Sequence, residues 1–169
     1  MTSGAALLFP ILYFLDDGGW FAAVLPAVVF HELGHILALK GCGADILSIR
    51  LEISGLCLRT GPICGKGKDV LCAAAGPIGG FIWAAVAGLA DGEWASKSFF
   101  SAMMLNAFNL LPAMPLDGGR ILSELTQNDT AVRLCTMLTG VILFFLAFRR
   151  RMWGLCFPSA LLIKTAVIP

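Results

Sequence analysis

Charged residues are scarce in this 169-residue chain. Lys, Arg, Asp and Glu make up 14% of the sequence, while 58% of the residues are hydrophobic. Because soluble domains carry about a quarter of their residues as charged side chains, this balance excludes an ordinary soluble fold and indicates a membrane protein. The formal net charge of +1 offers no basic face of the kind that nucleic-acid binding needs. We therefore expect no nucleic-acid partner.

Histidine and closely paired cysteines are also scarce. The chain has two histidines and six cysteines, and no two cysteines stand in C-x-x-C spacing. The cysteines are scattered through apolar segments and one basic loop, so we expect mostly reduced or buried thiols.

Six apolar runs dominate what is present: residues 5–15, 20–39, 70–90, 99–116, 134–148 and 152–168. A transmembrane helix needs about 20 apolar residues to cross a hydrocarbon core of about 30 Å. The second, third and fourth runs approach that length, whereas the first is short for a full crossing. These runs predict an α-helical polytopic membrane protein with about six transmembrane helices, in one domain over residues 1–169.

The loop between the second and third runs combines positive charge with strand periodicity. Apolar and polar residues alternate over residues 47–54, which predicts a small β-hairpin over residues 47–60 at the membrane surface. Its edge could accept an extended peptide, or the hairpin could only pack on the helices. Five Lys and Arg residues between positions 40 and 68 predict a cytoplasmic loop. With six spans, residues 149–151, all Arg, then fall outside, against the same rule.

The run VVFHELGHILAL, residues 28–39, holds both histidines. Residues four apart project from one face of a helix, so His31 and His35 can bind one metal ion. Glu32 lies to the side, where it can reach a water molecule at the metal, as in an H-E-x-x-H motif. Three ionisable groups in an apolar helix need strong compensation, which zinc can supply. The alternative is a pair of histidines that are only hydrogen-bonded in the core.

A catalytic zinc has three protein ligands, so the motif lacks one. With no third histidine, the candidates are carboxylates, among them Glu52, Asp69, Asp91, Glu93, Asp117 and Glu124. Asp117 stands out in NLLPAMPLDGG, residues 109–119, where prolines interrupt the helix and glycines free the backbone. Irregular backbone at membrane depth is tolerated where protein buries it or water reaches it. A simple helix-terminating turn explains PLDGG equally well.

These motifs resemble those of the site-2 protease family of intramembrane zinc metalloproteases. The family hallmarks are H-E-x-x-H on one transmembrane helix and an Asn/Pro-rich segment ending in Asp-Gly on a later one, matched here by VVFHELGH and NLLPAMPLDGG. AAAGPIGG, residues 73–80, is similar to the Ala-Gly-Pro element of the intervening helix. The resemblance covers about residues 22–122. Its glycines by themselves predict close helix packing rather than a ligand site.

The resemblance implies a three-helix catalytic core over about residues 20–122, followed by C-terminal helices over about residues 131–168. It implies one Zn²⁺ held by His31, His35 and Asp117, with Glu32 as catalytic base and Asn109 as a substrate-positioning residue. The implied activity is zinc-dependent cleavage in or near a transmembrane segment of a membrane-embedded protein substrate. The active site would lie toward the cytoplasmic side of the lipid bilayer.

The compact layout is most similar to the sporulation-type branch, whose members release a membrane-tethered transcription factor precursor by regulated intramembrane proteolysis. We expect no PDZ domain between the runs and no C-terminal CBS domain, and a membrane regulatory protein is a candidate partner. Two alternatives stay open. One is another H-E-x-x-H membrane metalloprotease with Glu52 or Glu124 as third ligand, and the other is a non-catalytic zinc-binding membrane protein.

Overall fold

The computed structural model describes residues 16, 18–44, 46–52, 55–60, 67–151 and 156–167. In chain order its elements are α1 Trp20–Gly41, β1 Ile46–Glu52, β2 Gly55–Thr60, α2 Lys68–Gly88, α3 Glu93–Asn109, α4 Asp117–Thr126, α5 Asp129–Arg149 and α6 Cys156–Val167. The mostly helical architecture expected from the sequence is therefore present. The chain forms two compact units, Met1–Asn106 and Ala107–Pro169.

Three of the described helices are long and apolar enough to cross a membrane: α1, α2 and α5. At 1.5 Å of rise per residue, helices of 21 and 22 residues are about 32 Å long, close to the thickness of the hydrocarbon core. The first apolar run, residues 5–15, lies outside the described residues. A total of six spans and their orientation stay predictions.

The fourth apolar run, residues 99–116, is not the single helix that the sequence predicts. α3 begins earlier, at Glu93, and ends at Asn109. Pro112 and Pro115 have no amide hydrogen and cannot continue the ladder of helical hydrogen bonds, so turns and bends follow α3. Asp117 consequently lies in the first turn of a new helix, α4, and not at the end of the preceding one.

Small residues are frequent on the buried faces of α1, α2 and α3. α1 buries every fourth residue, namely Ala23, Ala27, His31, His35 and Leu39. α3 buries Ala95, Ser98, Ala102 and Asn106. A Cβ at Gly79 of α2 would lie 2.5 Å from the carbonyl oxygen of Phe30, and one at Gly34 would overlap the backbone of Ala75. The close helix packing predicted for the PIGG segment is therefore confirmed.

Aromatic rings also pack in the interface between α1, α2 and α3. The rings of Phe30 and Trp83 stack with centroids 4.6 Å apart, and the Trp83 indole donates a 2.9 Å hydrogen bond to the Ser98 hydroxyl. Trp83 also packs against a buried cluster of Ala27, Ala84 and Ala102. These contacts fix α1, α2 and α3 against one another beside the two histidines.

The two strands pair antiparallel, with Ile49 opposite Leu58 and Glu52 opposite Gly55. The register is irregular between Ile46 and Ser48. The predicted turn at residues 53–54 and the side chains of both strands lie outside what the structure describes. The alternation of faces and the location at a membrane surface therefore stay predictions.

The cysteine side chains in the described part of the chain are thiols, at Cys42, Cys72 and Cys135. Cys72 is buried and the other two are half-buried, in agreement with the expectation from the sequence. The Sγ atoms of Cys42 and Cys72 are 3.8 Å apart. The side chains of the remaining three cysteines lie outside the described residues.

In the second unit, α5 packs against α6 and α4 packs against α5. The side chain of Asn128 caps α5 by accepting a 3.1 Å hydrogen bond from the amide of Ala131. Such a cap satisfies one of the amide groups that the first turn of a helix leaves without a helical partner.

Candidate metal centre

α1 carries both histidines on its buried face. His31 and His35 are 6% and 8% exposed, and their rings meet edge to face with centroids 4.8 Å apart. Their Nε2 atoms are 3.2 Å apart. The four-residue spacing therefore brings the two imidazoles together inside the first unit.

The tautomer of neutral His35 follows from its contact with α2. Its Nδ1 atom lies 2.8 Å from the backbone carbonyl oxygen of Cys72. A carbonyl oxygen can only accept a hydrogen bond, so Nδ1 carries the ring hydrogen and donates. The lone pair of the neutral ring is then on Nε2.

The tautomer of neutral His31 follows from α3. The amide nitrogen of Asn106, Nδ2, donates a 2.7 Å hydrogen bond to the carbonyl oxygen of Ala102, which fixes the carboxamide. Its other end, Oδ1, lies 2.8 Å from Nδ1 of His31 and can only accept. His31 therefore also carries its hydrogen on Nδ1 and its lone pair on Nε2.

The two Nε2 lone pairs face each other, and this is the geometry of a cation site. Neither atom can donate to the other while both rings are neutral, so the pair offers two nitrogen donors of the kind that ligate a metal ion. Two nitrogens bound to one tetrahedral zinc at about 2.05 Å lie about 3.3 Å apart. The observed 3.2 Å fits a zinc ion shared by His31 and His35.

Two glycines of α2 make room for these polar groups. A Cβ at Gly76 would overlap the imidazole of His35, and a Cβ at Gly80 would overlap the carboxamide of Asn106. Both glycines are buried and lie four residues apart on one face of α2. The glycines of AAAGPIGG thus admit the imidazole and the carboxamide as well as the neighbouring backbone.

Asp117 belongs to the second unit, where it is buried in the first turn of α4. The next two residues must be glycine in this conformation, because a Cβ at Gly118 or Gly119 would overlap backbone atoms of residues 110–114. One carboxylate oxygen of Asp117 lies 3.7 Å from a guanidinium nitrogen of Arg120, whose side chain is exposed. This local fit holds the carboxylate at the start of α4.

The loop before Asp117 is anchored at Met114. Its amide donates a 3.0 Å hydrogen bond to the hydroxyl of Thr136 on α5, and its carbonyl accepts a 3.2 Å bond from the hydroxyl of Thr165 on α6. The segment NLLPAMPLDGG is therefore more than a helix-terminating turn, since its backbone bonds to two further helices.

His31 and His35 are buried in the first unit, and Asp117 is buried in the second. Of the acidic side chains that the structure describes, Asp117 is the buried one. Among the other candidates, Asp91, Glu93 and Glu124 are exposed and Asp69 is half-buried. The side chain of Glu52 lies outside the described residues.

Glu32 and Asn109 are both half-buried, Glu32 next to His31 on α1 and Asn109 at the end of α3. Sequence reasoning missed Asn106, although it is fully buried and contacts His31 directly. An available signal was an asparagine inside an apolar run, because a buried carboxamide requires partners.

The comparisons with known proteins agree with this fold. No family model matches the chain. A zinc metalloprotease from Methanocaldococcus jannaschii is 29% identical over 162 residues, which cover 87% of this chain and 46% of that protein. The chain therefore spans about half the length of this curated relative.

A solved structure described as a site-2 protease from Methanocaldococcus jannaschii is also similar. The TM-score is 0.68 at 23% identity, over 96% of this chain and 84% of the solved chain. At this level of identity the likeness shows a shared fold.

Proposed function

We propose that this chain is an integral membrane zinc metalloprotease. The observation that carries the proposal is the pair of buried histidine Nε2 atoms, 3.2 Å apart, on a helix long and apolar enough to cross a membrane. Two further observations support it: the similarity in sequence to a zinc metalloprotease and in fold to a site-2 protease.

The proposed ligands of one Zn²⁺ are His31, His35 and Asp117. Two imidazoles and one carboxylate are a donor set typical of catalytic zinc, which keeps a fourth position open. The burial of all three side chains supports this assignment over the exposed carboxylate of Glu124. An ion in this place would also offset the cost of three ionisable groups in an apolar environment.

When bound, zinc supplies a Lewis acid that polarises a peptide carbonyl and lowers the pKa of a water molecule toward about 7. We assign the proton transfers to Glu32, which takes a proton from the attacking water and returns it to the leaving amine. Residues adjacent on a helix lie about 100° apart around its axis, so Glu32 projects beside the imidazoles and not along them. Asn109 is proposed to position the substrate.

The proposed substrate is a transmembrane segment of another protein, cut in or near the membrane. A transmembrane helix satisfies its amide groups internally, so it must unwind locally before a carbonyl can reach the site. The antiparallel pair β1 and β2 could hold the unwound peptide by strand addition. The positive charge between α1 and α2 supports a site toward the cytoplasmic side, in a chain of about six spans.

The finer assignment is to the sporulation-type branch, with a membrane-tethered regulatory precursor as substrate and a membrane protein as regulator. Its support is the resemblance of the motifs and their compact spacing in this chain.

Zinc content and cleavage, measured together, test the proposal. Wild-type protein, Glu32→Gln, Asp117→Ala and Glu124→Ala are purified in detergent, and zinc is counted by elemental mass spectrometry. Cleavage is followed on labelled peptides that each contain one transmembrane segment. Glu124 is the matched control because it is an exposed carboxylate on the same helix as Asp117.

We expect one zinc per chain in the wild type and in Glu124→Ala. Glu32→Gln should keep zinc and lose cleavage by about 100-fold or more, the usual weight of a general base. Asp117→Ala should lose both. Equal zinc in Asp117→Ala with loss in Glu124→Ala would favour a glutamate ligand, and full function in Glu32→Gln would favour a non-catalytic zinc protein.

A further inference from the structure

Asn106 is a fully buried polar residue that belongs to none of the three motifs VVFHELGH, AAAGPIGG and NLLPAMPLDGG. Asparagine is unfavourable inside a helix because its side chain competes for backbone hydrogen bonds, and in an apolar helix both ends of its carboxamide need partners. Both have them, Nδ2 at Ala102 and Oδ1 at His31. The oxygen of Asn106 is thereby aimed at one ring nitrogen.

The neighbouring helix preserves this arrangement. Gly80 of α2 lies so close to the Asn106 carboxamide that any Cβ would overlap its nitrogen, oxygen and carbon atoms. Ser98, on the same helix as Asn106, accepts a hydrogen bond from Trp83 of α2 at a separate place. These contacts hold the Asn106 carboxamide so that its oxygen accepts a hydrogen bond from His31.

We propose that Asn106 is a positioning residue for the metal site, holding neutral His31 with its hydrogen on Nδ1 and its lone pair on Nε2. The inference rests on the proposed zinc function of His31 and His35. Without an acceptor at Nδ1, the hydrogen can move to Nε2, where it blocks the metal. For His35 the acceptor at Nδ1 is the backbone carbonyl of Cys72. No substitution removes a backbone carbonyl, so Asn106 is the residue to test.

The tautomer is measured first, in metal-free protein, by ¹⁵N NMR of the histidine ring nitrogens in detergent above pH 8. The chain has two histidines, and His31→Ala assigns the signals. We expect His31 of the wild type to carry its hydrogen on Nδ1. Asn106→Ala should shift it toward Nε2, while Asn106→Asp should restore Nδ1, since a carboxylate accepts the same hydrogen bond.

Zinc affinity is measured next, by chelator competition with Zn²⁺ alone. Loss of a group that orients a metal-binding histidine typically costs 10- to 100-fold in affinity, and we expect that loss in Asn106→Ala. Asn106→Asp should recover most of it. Ser98→Ala is the matched control, because it removes a buried hydrogen bond from the same helix without touching a histidine, so its zinc affinity should equal that of the wild type.

The two measurements separate the inference from the proposed function. If the wild type binds zinc while Asn106→Ala changes neither tautomer nor affinity, the inference is overturned and the zinc site stands. Equal losses of affinity in Asn106→Ala and Ser98→Ala would also overturn it, because general destabilisation would then explain both. If the tautomer responds as expected and no variant binds zinc, the proposed function fails while the control of His31 by Asn106 stands.

Discussion

Glycines of α2 and of α5 both lie where a neighbouring helix packs closely, but they face different groups. In the first unit, Gly76 and Gly80 of α2 face the ring of His35 and the carboxamide of Asn106. In the second unit, Gly140 of α5 faces an apolar side chain, with a Cβ at that position 2.8 Å from Cγ1 of Ile163 on α6. α2 and α5 are both 21-residue helices that could span a membrane.

A glycine in an apolar helix therefore does not reveal by itself whether it serves helix packing or a polar site. Small residues let helix backbones approach in either case. What the glycine faces decides the consequence of filling it. At α2 a new methyl group would displace the imidazole of His35 or the carboxamide of Asn106, and at α5 it would crowd a side chain and the backbone of α6. Alanine substitutions at these glycines therefore test whether the two units differ in this way.

The largest effect is expected from Gly76→Ala. The new methyl group would overlap Nε2, Cε1 and Cδ2 of His35, so the ring must leave the position from which it is proposed to bind zinc. We expect zinc affinity to fall by at least tenfold, which is about 1.4 kcal/mol. Chelator competition on detergent-purified protein measures this, and a melting curve of the metal-free variant reports how much of the loss is unfolding.

Gly41→Ala provides the control for that experiment. Gly41 is the last residue of α1, and a Cβ there would meet nothing within 4 Å. Since alanine is the better helix former by about 1 kcal/mol in a helix interior, stability should be equal or slightly higher and zinc binding unchanged. Normal zinc affinity in Gly76→Ala would contradict the site described here.

A smaller effect, confined to stability, is expected from Gly140→Ala. The methyl group would lie 2.8 Å from Cγ1 of Ile163 and 3.2 Å from the carbonyl oxygen of Ser159. Overpacking of this kind costs about 1 to 3 kcal/mol, so the denaturation midpoint in mixed detergent should fall. Zinc affinity of the folded protein should match that of the wild type.

Ile163→Ala tests the cause of that loss. It removes the Cγ1 atom that the new methyl group would meet, so the double variant should be more stable than the sum of the two single changes predicts. Strict additivity would mean that the backbone contact at Ser159, not the Ile163 side chain, resists the methyl group. A loss of zinc affinity in Gly140→Ala would contradict the expected difference between the glycines of α2 and Gly140 of α5.

Sequence periodicity could predict the parts of this site that lie on one helix. The four-residue spacing of His31 and His35 requires that they share a face, and the structure brings their rings together. Length and hydropathy likewise predicted α1 and α2 as helices able to span. In each case the signal is local, because one element carries the whole pattern.

Contacts between elements could not be predicted in the same way. Nothing in the spacing says that Asn106 of α3 meets His31 of α1, or that Cys72 offers its carbonyl to His35. The prediction of one helix over the fourth apolar run was wrong, because the sequence stays hydrophobic through residues 110–116 although the helix ends at Asn109. Pro112 and Pro115 indicated the interruption, yet only the structure shows that Asp117 begins α4.

The smallest effect on zinc binding is expected from an ion pair near the surface that contacts none of the glycines of α2. The ammonium of Lys97 lies 2.6 Å from a carboxylate oxygen of Glu93, and this hydrogen bond and charge hold the pKa of Glu93 below its ordinary value. Because the pKa is lowered in the fold, the pair stabilises it above the unfolded-state pKa of glutamate, and that contribution is lost as pH falls through the folded-state pKa.

Lys97→Met should therefore raise the pKa of Glu93, read from the side-chain carboxyl signal by ¹³C NMR, while Lys97→Arg should keep it low. The ion pair itself should contribute little to stability at neutral pH, since the carboxylate of Glu93 is exposed and solvent screens it. Zinc affinity should not respond. If Lys97→Met weakened zinc binding as much as Gly76→Ala is expected to, the effect of Gly76→Ala could not be attributed to the contact between Gly76 and His35.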